Sequence, residues 1–366
     1  METTITKRQT PSSAIQTLCT DCSQSPVLER APTPSGRSRW ATLTGVQILG
    51  TGSYAPDNVV TNADLAELGC DEDWIVQRTG IHERRHAPPD LATSDVAFEA
   101  AQRCLEAADV SASEVDLILV ATMTPDSPLP STACLLQQRL GCISPALDLN
   151  AACAGFMYAM VTGMQYVRTG CAHRVLVIGV DLMSRVVDPT DEQTYPLFGD
   201  GGGAVLLGPG DGDQGLMAYT LGSEGDADGV LWQPAGGTRE PVSRETLAEG
   251  RHFVQMEGRT VFKWAVRVLI DSTRDVLRKT ALDPSDLDLV VFHQANIRII
   301  DAALDDLHID RDKVIINLDR YGNTSAGSMP LVLDEACREG RIHPGDNVLL
   351  AGFGGGFTWG TAIMKW

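Results

Sequence analysis

Asp116-Leu117-Ile118-Leu119-Val120 and Asp288-Leu289-Val290-Val291-Phe292 decide how this chain folds: they stand 172 residues apart, and each is a short apolar run of the kind that forms a buried strand. Two further pairs keep nearly the same spacing in the same order. Cys153-Ala154-Gly155 matches Ser325-Ala326-Gly327 at 172, and Val175-Leu176-Val177-Ile178-Gly179 matches Val348-Leu349-Leu350-Ala351-Gly352 at 173. A period that long is no solenoid repeat. It indicates two similar α/β halves with a site at their junction, and in this alignment the turn that carries Cys153 in the first half carries Ser325 in the second.

Working outward, β-branched runs at 115–122, 146–150, 175–181, 204–208, 287–293, 314–319 and 348–353 read as strands. Helical patterns alternate with them at 62–68 (Asn62 as N-cap), 93–108, 131–140, 153–169, 258–280, 295–307 and 326–339. Such alternation predicts an α/β protein with buried sheets. The halves are expected over 45–222 and 251–366, separated by a loop or flap rich in Gly, Asp and Glu over 223–250. Residues 1–44 differ in kind. Seventeen of the first forty are Ser, Thr or Pro, and five basic residues against three acidic leave this stretch at +2 in a chain of net charge −19. It reads as a disordered N-terminal tail. A plastid transit peptide is the alternative, against which Glu2, Asp21 and Glu29 count. Cys19 and Cys22 form a C-x-x-C without a second ligand pair, so chance is the reading preferred to zinc or redox chemistry.

Composition excludes several classes. At 366 residues with 43% apolar and 21% charged, the chain builds a sizeable core, and it lacks the ~18 consecutive apolar residues of a membrane span. A charge of −19 argues against nucleic acid as partner, and makes any contact with an anionic substrate a local matter. Nine cysteines without a secretory signal read as reduced thiols of an intracellular protein.

Three strand ends and one glycine turn carry the chemistry. Cys153, in Asn150-Ala-Ala-Cys-Ala-Gly-Phe156, follows a strand and opens a helix, where the dipole favours a thiolate. A buried structural cysteine is the plain alternative. His293 ends a strand, and ligand chemistry in open α/β sheets gathers at such ends. Asn323, in Tyr321-Gly-Asn-Thr-Ser-Ala-Gly-Ser328, lies at another strand-to-helix turn, and Gly352-Phe-Gly-Gly-Gly-Phe-Thr-Trp-Gly360 bares enough backbone to aim N–H groups at an oxyanion. Together they make an acyl-transfer site. Gly199-Asp-Gly-Gly-Gly-Ala204 has dinucleotide-loop spacing but precedes a strand, and neither a P-loop nor an H-x-x-x-H pair occurs. No nicotinamide, ATP or metal cofactor is indicated.

These motifs, with Asp73-Trp-Ile-Val-Gln-Arg-Thr-Gly-Ile81 and His293-Gln-Ala-Asn-Ile-Arg-Ile-Ile300, resemble the β-ketoacyl-acyl carrier protein synthase III family from about Gly45 to Trp366. Asn323 departs from the Cys-His-His set of elongating synthases. The glycine turn lacks the second cysteine of thiolases and the Gly-Phe-Gly-Pro-Gly of chalcone-synthase-like enzymes. The resemblance implies a thiolase-like fold, two similar α/β halves in a layered αβαβα structure. It implies Cys153, His293 and Asn323 as catalytic residues and the N–H groups of Cys153 and Gly355 as oxyanion hole. It assigns Trp74, Arg78, Arg185, Gly258 and Asn296 to coenzyme A, and Gln294, Ala295, Asn296, Ile297, Arg298 and Lys263 to an acyl carrier protein. It further implies a cytoplasmic homodimer in which Leu129 of the partner subunit closes the acyl pocket. Leu129 is smaller than the Phe of acetyl-selective relatives, which suggests tolerance of longer or branched primers. Arg259, Lys263 and Arg267 form a cationic stripe along one helix, which plainly read is a solvated helix face, and Arg298 follows the His293 motif; Asp305 and Asp306 stand where relatives tend to have lysines. Two other readings stay open: an acyltransferase of secondary metabolism that moves the acyl group to a hydroxyl or amine, and an inactive partner subunit.

Overall fold

The computed structural model describes residues 40–225 and 229–366. Its strands are β1 (Trp40–Thr44), β2 (Val46–Tyr54), β3 (Val59–Thr61), β4 (Glu83–Arg85), β5 (Leu117–Ala121), β6 (Ala146–Leu149), β7 (Val175–Leu182), β8 (Asp200–Pro209), β9 (Gly215–Ser223), β10 (Leu231–Trp232), β11 (Gln255–Met256), β12 (Leu289–Phe292), β13 (Asn347–Gly354) and β14 (Thr358–Lys365). Its α-helices are α1 (Glu72–Thr79), α2 (Thr93–Ala108), α3 (Thr132–Leu140), α4 (Gly155–Arg168), α5 (Arg244–Ala248), α6 (Gly258–Thr280), α7 (Ile297–Leu307), α8 (Leu318–Tyr321) and α9 (Ser328–Arg338).

Because successive strand side chains point to opposite faces, one apolar run serves two cores. Leu117, Leu119, Val175 and Val177 point inward with Leu289, Val291, Val348 and Leu350, and between the two groups lie Phe156, Met157 and Met160 of α4 and Met329, Val332 and Leu333 of α9. The alternate residues Ile118, Val120, Leu176 and Ile178 pack outward on α2 and α3. Val290, Phe292, Leu349 and Ala351 do the same on α6 and α7. The outcome is the αβαβα layering of a thiolase-like fold. The sheets run β2-β8-β7-β5-β6 and β1-β9-β14-β13-β12.

The duplication is visible in register. Leu117 pairs with Val175 in parallel, and Leu289 pairs with Val348 in parallel. At the turns, however, the offset is 173. Ala152 (φ 47) and Ser325 (φ 50) are the left-handed residues that begin matching 3₁₀ turns, Ala152–Ala154 and Ser325–Gly327, after which α4 and α9 start at Gly155 and Ser328. The counterpart of Cys153 is therefore Ala326, not Ser325. The shared Ala-Gly letters misalign the turns by one, whereas the left-handed residue sets the true match. Strand β7 passes so close to the second of these turns that a Cβ on Gly179 would lie 2.2 Å from the Ala326 carbonyl oxygen.

Other expectations need correcting. Residues 40–44 belong to no tail: they are β1, which pairs antiparallel with β9. Both strands sit in the second sheet, so position 222 does not separate the sheets. The 314–319 run is not a strand. Val314 makes a single parallel bridge to Val290. Beyond it, the side chain of Gln294 takes the place of a ladder, donating to Phe292 O (2.8 Å) and Ile315 O (3.3 Å) and accepting from Asn317 N (3.2 Å). The chain then turns into α8. In the expected flap, β10 pairs with β11 and α5 fills part of the loop. The readings of residues 1–39, including Cys19 and Cys22, lie outside the described residues. The seven cysteines among the described residues are free thiols.

Candidate active site

The Cys153 turn and the segment carrying Asn323 open onto one cavity of about 740 Å³, lined by Cys153, His293, Asn323, Phe353 and Gly354. Cys153 sits in the 3₁₀ turn between β6 and α4, held by Asn150 Oδ1, which accepts from Ala152 N at 3.1 Å. His293 directly follows β12, and its N–H donates to Ala351 O at 2.9 Å, continuing the ladder. Its Nδ1 lies 2.6 Å from Ser328 Oγ, a hydroxyl that also accepts from Gln294 N at 3.4 Å. Nε2 is then the nitrogen left for the cavity. Asn323 is fixed by two backbone bonds, its N–H to Leu197 O at 2.8 Å and its carbonyl receiving Gly199 N at 3.1 Å. Its Oδ1 accepts from Ser325 N at 2.9 Å, which leaves the amide nitrogen as the free, donating end. A side chain on Gly354 would put its Cβ 2.6 Å from the Cys153 nitrogen, so only glycine lets the C-terminal turn approach the nucleophile.

Burial sets the protonation states. The His293 base is pushed down to about 3 by desolvation, so the ring is neutral. The Cys153 thiol is pushed up to about 12 by desolvation, with a hydrogen bond from Ser325 opposing and the Asp181 charge adding to the rise. This reverses the lowering expected from the helix dipole: Cys153 is buried and the His293 ring carries no charge.

The cavity mouth holds Trp74, Arg78, Gly258, Asn296, Lys263 and Arg298. Trp74 is 40% exposed, hence not a core residue, and the Arg78 guanidinium lies 5.1 Å from its ring centre. Asn296 caps α7 through Arg298 N (2.9 Å) and donates to Arg78 O (3.0 Å). Ala295 also lines the cavity. Ile297 packs against Gly80, where a Cβ would meet it at 2.7 Å.

Two assigned residues stand elsewhere. Arg185 is not a cavity residue: its guanidinium donates to the carbonyls of Ala87 (3.3 Å), Pro88 (2.7 Å) and Leu91 (3.4 Å), and Glu192 and Gln193 line the mouth instead. Gln294 is fully buried and its amide closes the strand edge, so it cannot touch a docking protein. Leu129 is 86% exposed and does not line its own chain's cavity. Gly355 is next to Gly354, and its carbonyl accepts from Thr358 Oγ1 at 3.2 Å. Ser328, which orients His293, was given no role from sequence, although it ends the motif that contains Asn323.

The stripe on α6 is mostly unneutralised. Arg267 reaches Glu224 at 4.0 Å, whereas Arg259, Lys263 and Arg298 make no salt bridge among the described residues. Asp306 is occupied by Arg274 at 2.6 Å.

Comparison with known proteins covers most of the chain. Residues 147–225 match the family model "3-Oxoacyl-[acyl-carrier-protein (ACP)] synthase III" and residues 277–366 the model for its C-terminal part. A β-ketoacyl-[acyl-carrier-protein] synthase III of Rhodopirellula baltica is 58% identical over 342 residues, covering 88% of this chain and 99% of its own. The crystal structure of 3-oxoacyl-[acyl-carrier-protein] synthase III from Aquifex aeolicus VF5 superposes with TM-score 0.81 at 40% identity, covering 88% of this chain and 100% of that one. The priming β-ketosynthase of the R1128 polyketide pathway superposes with TM-score 0.80 at 34% identity, covering 90% and 98%.

Proposed function

The chain belongs to the 3-oxoacyl-[acyl-carrier-protein] synthase III family and catalyses the condensation that initiates fatty-acid synthesis; on that premise we propose that Cys153, His293 and Asn323 carry the two half-reactions at one cavity. The observation that carries this reading is the convergence of two strand-end residues, Cys153 after β6 and His293 after β12, with Asn323 after α8 on the wall of one cavity.

The Cys153 sulfur attacks the thioester carbonyl of a short acyl-CoA. The oxyanion that forms is held by the N–H groups of Cys153 and Gly355, and CoA leaves an acyl-Cys153. Malonyl-acyl carrier protein then loses CO₂. As charge develops on its thioester oxygen, Nε2–H of His293 and the Asn323 amide donate to it. Ser328, receiving Gln294 N–H, gives its own proton to Nδ1, which keeps the ring proton on Nε2. Neutral donors stabilise the enolate without protonating it, so the carbon stays nucleophilic and attacks the acyl group. The products are 3-ketoacyl-carrier protein, CoA and CO₂. Both substrates arrive as thioesters, so the cycle uses no further cofactor.

At the mouth, Trp74 supplies a flat face for the adenine of coenzyme A, with Arg78, Gly258 and Asn296 along the chain below it. The free cations Arg259, Lys263 and Arg298 receive the acidic carrier protein, with Ala295 and Asn296 beside the entering arm. The active form is a homodimer. Leu129, Ile143 (98% exposed) and Leu147 (37% exposed) present apolar surface beside the open edge of β6, and a partner seated there brings its Leu129 to the acyl pocket. With Leu in that position, longer or branched primers fit. The bacterial relatives support a cytoplasmic location.

The test incubates the enzyme with a panel of acyl-CoAs and malonyl-carrier protein and identifies products by mass. A 3-ketoacyl product that disappears in Cys153→Ala supports the reading. Acylated Cys153 with no ketoacyl product from any primer overturns it in favour of an acyltransferase. Turnover of acetyl-CoA with none of butyryl- or isobutyryl-CoA overturns the broader primer pocket alone.

A further inference from the structure

Asn323 follows α8 rather than a strand, so its place in the cavity is inherited from the chain it leans on. That chain is the segment before β8, to which it is joined by a parallel bridge between Phe198 and Asn323. Asn323 N donates to Leu197 O (2.8 Å) and Gly199 N to Asn323 O (3.1 Å). Pro196, Leu197 and Phe198 themselves line the cavity. Wherever residues 196–199 lie, the Asn323 amide follows.

Behind this segment stands Arg84 of β4, whose side chain is completely buried. Its Nη2 donates to Pro196 O (2.7 Å) and Asn62 Oδ1 (2.8 Å), and its Nη1 to Val60 O (3.2 Å). The peptide between Pro196 and Leu197 is thus held at both ends, since its N–H donates to Thr194 O (3.0 Å). The Arg84 stem packs under the two glycines that flank the bridge. A Cβ on Gly199 would lie 3.1 Å from Arg84 Cβ and 2.1 Å from Tyr321 O, and one on Gly322 would lie 3.2 Å from Arg84 Cβ and 3.0 Å from Leu197 O. Gly322 also has φ 64, a conformation that by itself favours glycine.

The fold gains little stability from this residue. Among the described residues no carboxylate pairs with the guanidinium, and its buried Nε has no hydrogen-bond partner. Burial brings the group down to about 10, so it is still charged at neutral pH. An unpaired buried cation is destabilising, and an apolar side chain of similar volume would avoid it. What the planar fork supplies is simultaneous bonding to oxygens of three separate segments. We propose that Arg84 is the positioning residue for Asn323: by holding Pro196 O and packing under Gly199 and Gly322 it fixes the 196–199 segment, and through it the amide that donates to the developing enolate. Arg84 does not line the cavity itself and acts through Asn323.

This inference rests on Asn323 serving the decarboxylating half-reaction, so the two half-reactions are read apart. Each enzyme is mixed with acetyl-CoA and the acylation of Cys153 timed by mass. The acyl-enzyme, freed of acetyl-CoA, is then mixed with saturating malonyl-carrier protein and the release of CO₂ timed. Asn323→Ala is the reference: a wild-type CO₂ rate in it overturns the role of Asn323, and that of Arg84 with it. Arg84→Lys keeps the charge without the fork. It is expected to slow CO₂ release by a factor at least about tenfold larger than it slows acylation. Added to N323A it is expected to cost less than about a further twofold in CO₂ release, because both changes disable the same amide. An equal loss in the two half-reactions marks a residue that only stabilises the fold, and overturns the proposal. So does a wild-type CO₂ rate in R84K while N323A is impaired, which leaves Asn323 in its role. Should R84K not fold, Asn62→Ala removes one acceptor of the fork and leaves Arg84 in place. A loss confined to CO₂ release then supports the proposal, and an equal loss or none overturns it.

Discussion

His293 illustrates what a single side chain contributes at two levels. In the folded protein its base is moved from 6.5 to about 3 by burial. Between those values the unfolded chain binds the extra proton and the folded one does not, so stability falls as pH drops from about 6.5 toward 3. Above 6.5 this group adds no pH dependence. Replacement by Asn removes the titration, and H293N is expected to lose less stability than wild type between pH 7 and pH 4.5, by an amount on the order of 1–3 kcal/mol. Urea unfolding midpoints at the two pH values measure it. Cys153 and His293 were legible because one stands between a strand and a helix and the other follows a strand, whereas Asn323 reaches the cavity without the strand expected before it, since α8 precedes it instead. The direction of the Cys153 shift was not legible, because desolvation arises only when the two halves close over the thiol. Arg185 and Gln294 were misjudged for a related reason: a motif gives the position of a residue but not what its side chain is bonded to.

At the scale of elements, amphipathic helices were the most readable. The bounds 93–108 and 258–280 coincide with α2 and α6, since a long apolar stripe leaves little freedom in where the helix lies. Strands were less readable. The 314–319 run has the composition of a strand, but a distant glutamine amide takes its hydrogen bonds, and β14 was overlooked because glycine and tryptophan break its apolar run. The contact between β7 and the turn at Ser325–Gly327 makes a sharp prediction. A methyl on Gly179 would lie 2.2 Å from Ala326 O, backbone that cannot rotate away, so the α9 turn must shift. G179A is expected to destabilise the protein by about 3 kcal/mol or more and to depress acylation of Cys153, because the same turn holds Asn323. Denaturant unfolding and first-turnover acylation measure the two effects.

For the whole molecule, the net charge of −19 sharpens into a statement about one face. Arg298→Glu reverses a cation at the cavity mouth that has no salt-bridge partner among the described residues. It is expected to raise KM for malonyl-carrier protein by about tenfold, with kcat within about twofold. Steady-state kinetics with each substrate varied in turn measure it; an unchanged KM for the carrier substrate would exclude docking at this mouth. Ile143, 98% exposed, gives the matching test of assembly. Ile143→Glu is expected to shift the protein to monomers in sedimentation velocity and to narrow activity by removing the partner's Leu129. The Gln294 amide, described above as a substitute for a strand, bears on that assembly. On the outer flank of β12 the segment from Val314 stands where β6 stands on β5, bridged once to Val290 and bonded by this side chain, whereas the outer edge of β6 pairs with no strand among the described residues. A gene-level repeat would otherwise give every chain two adhesive flanks and a route to open-ended stacking. In the homodimer proposed above, one bare edge per chain would give a single valence of this kind, which one pairing exhausts.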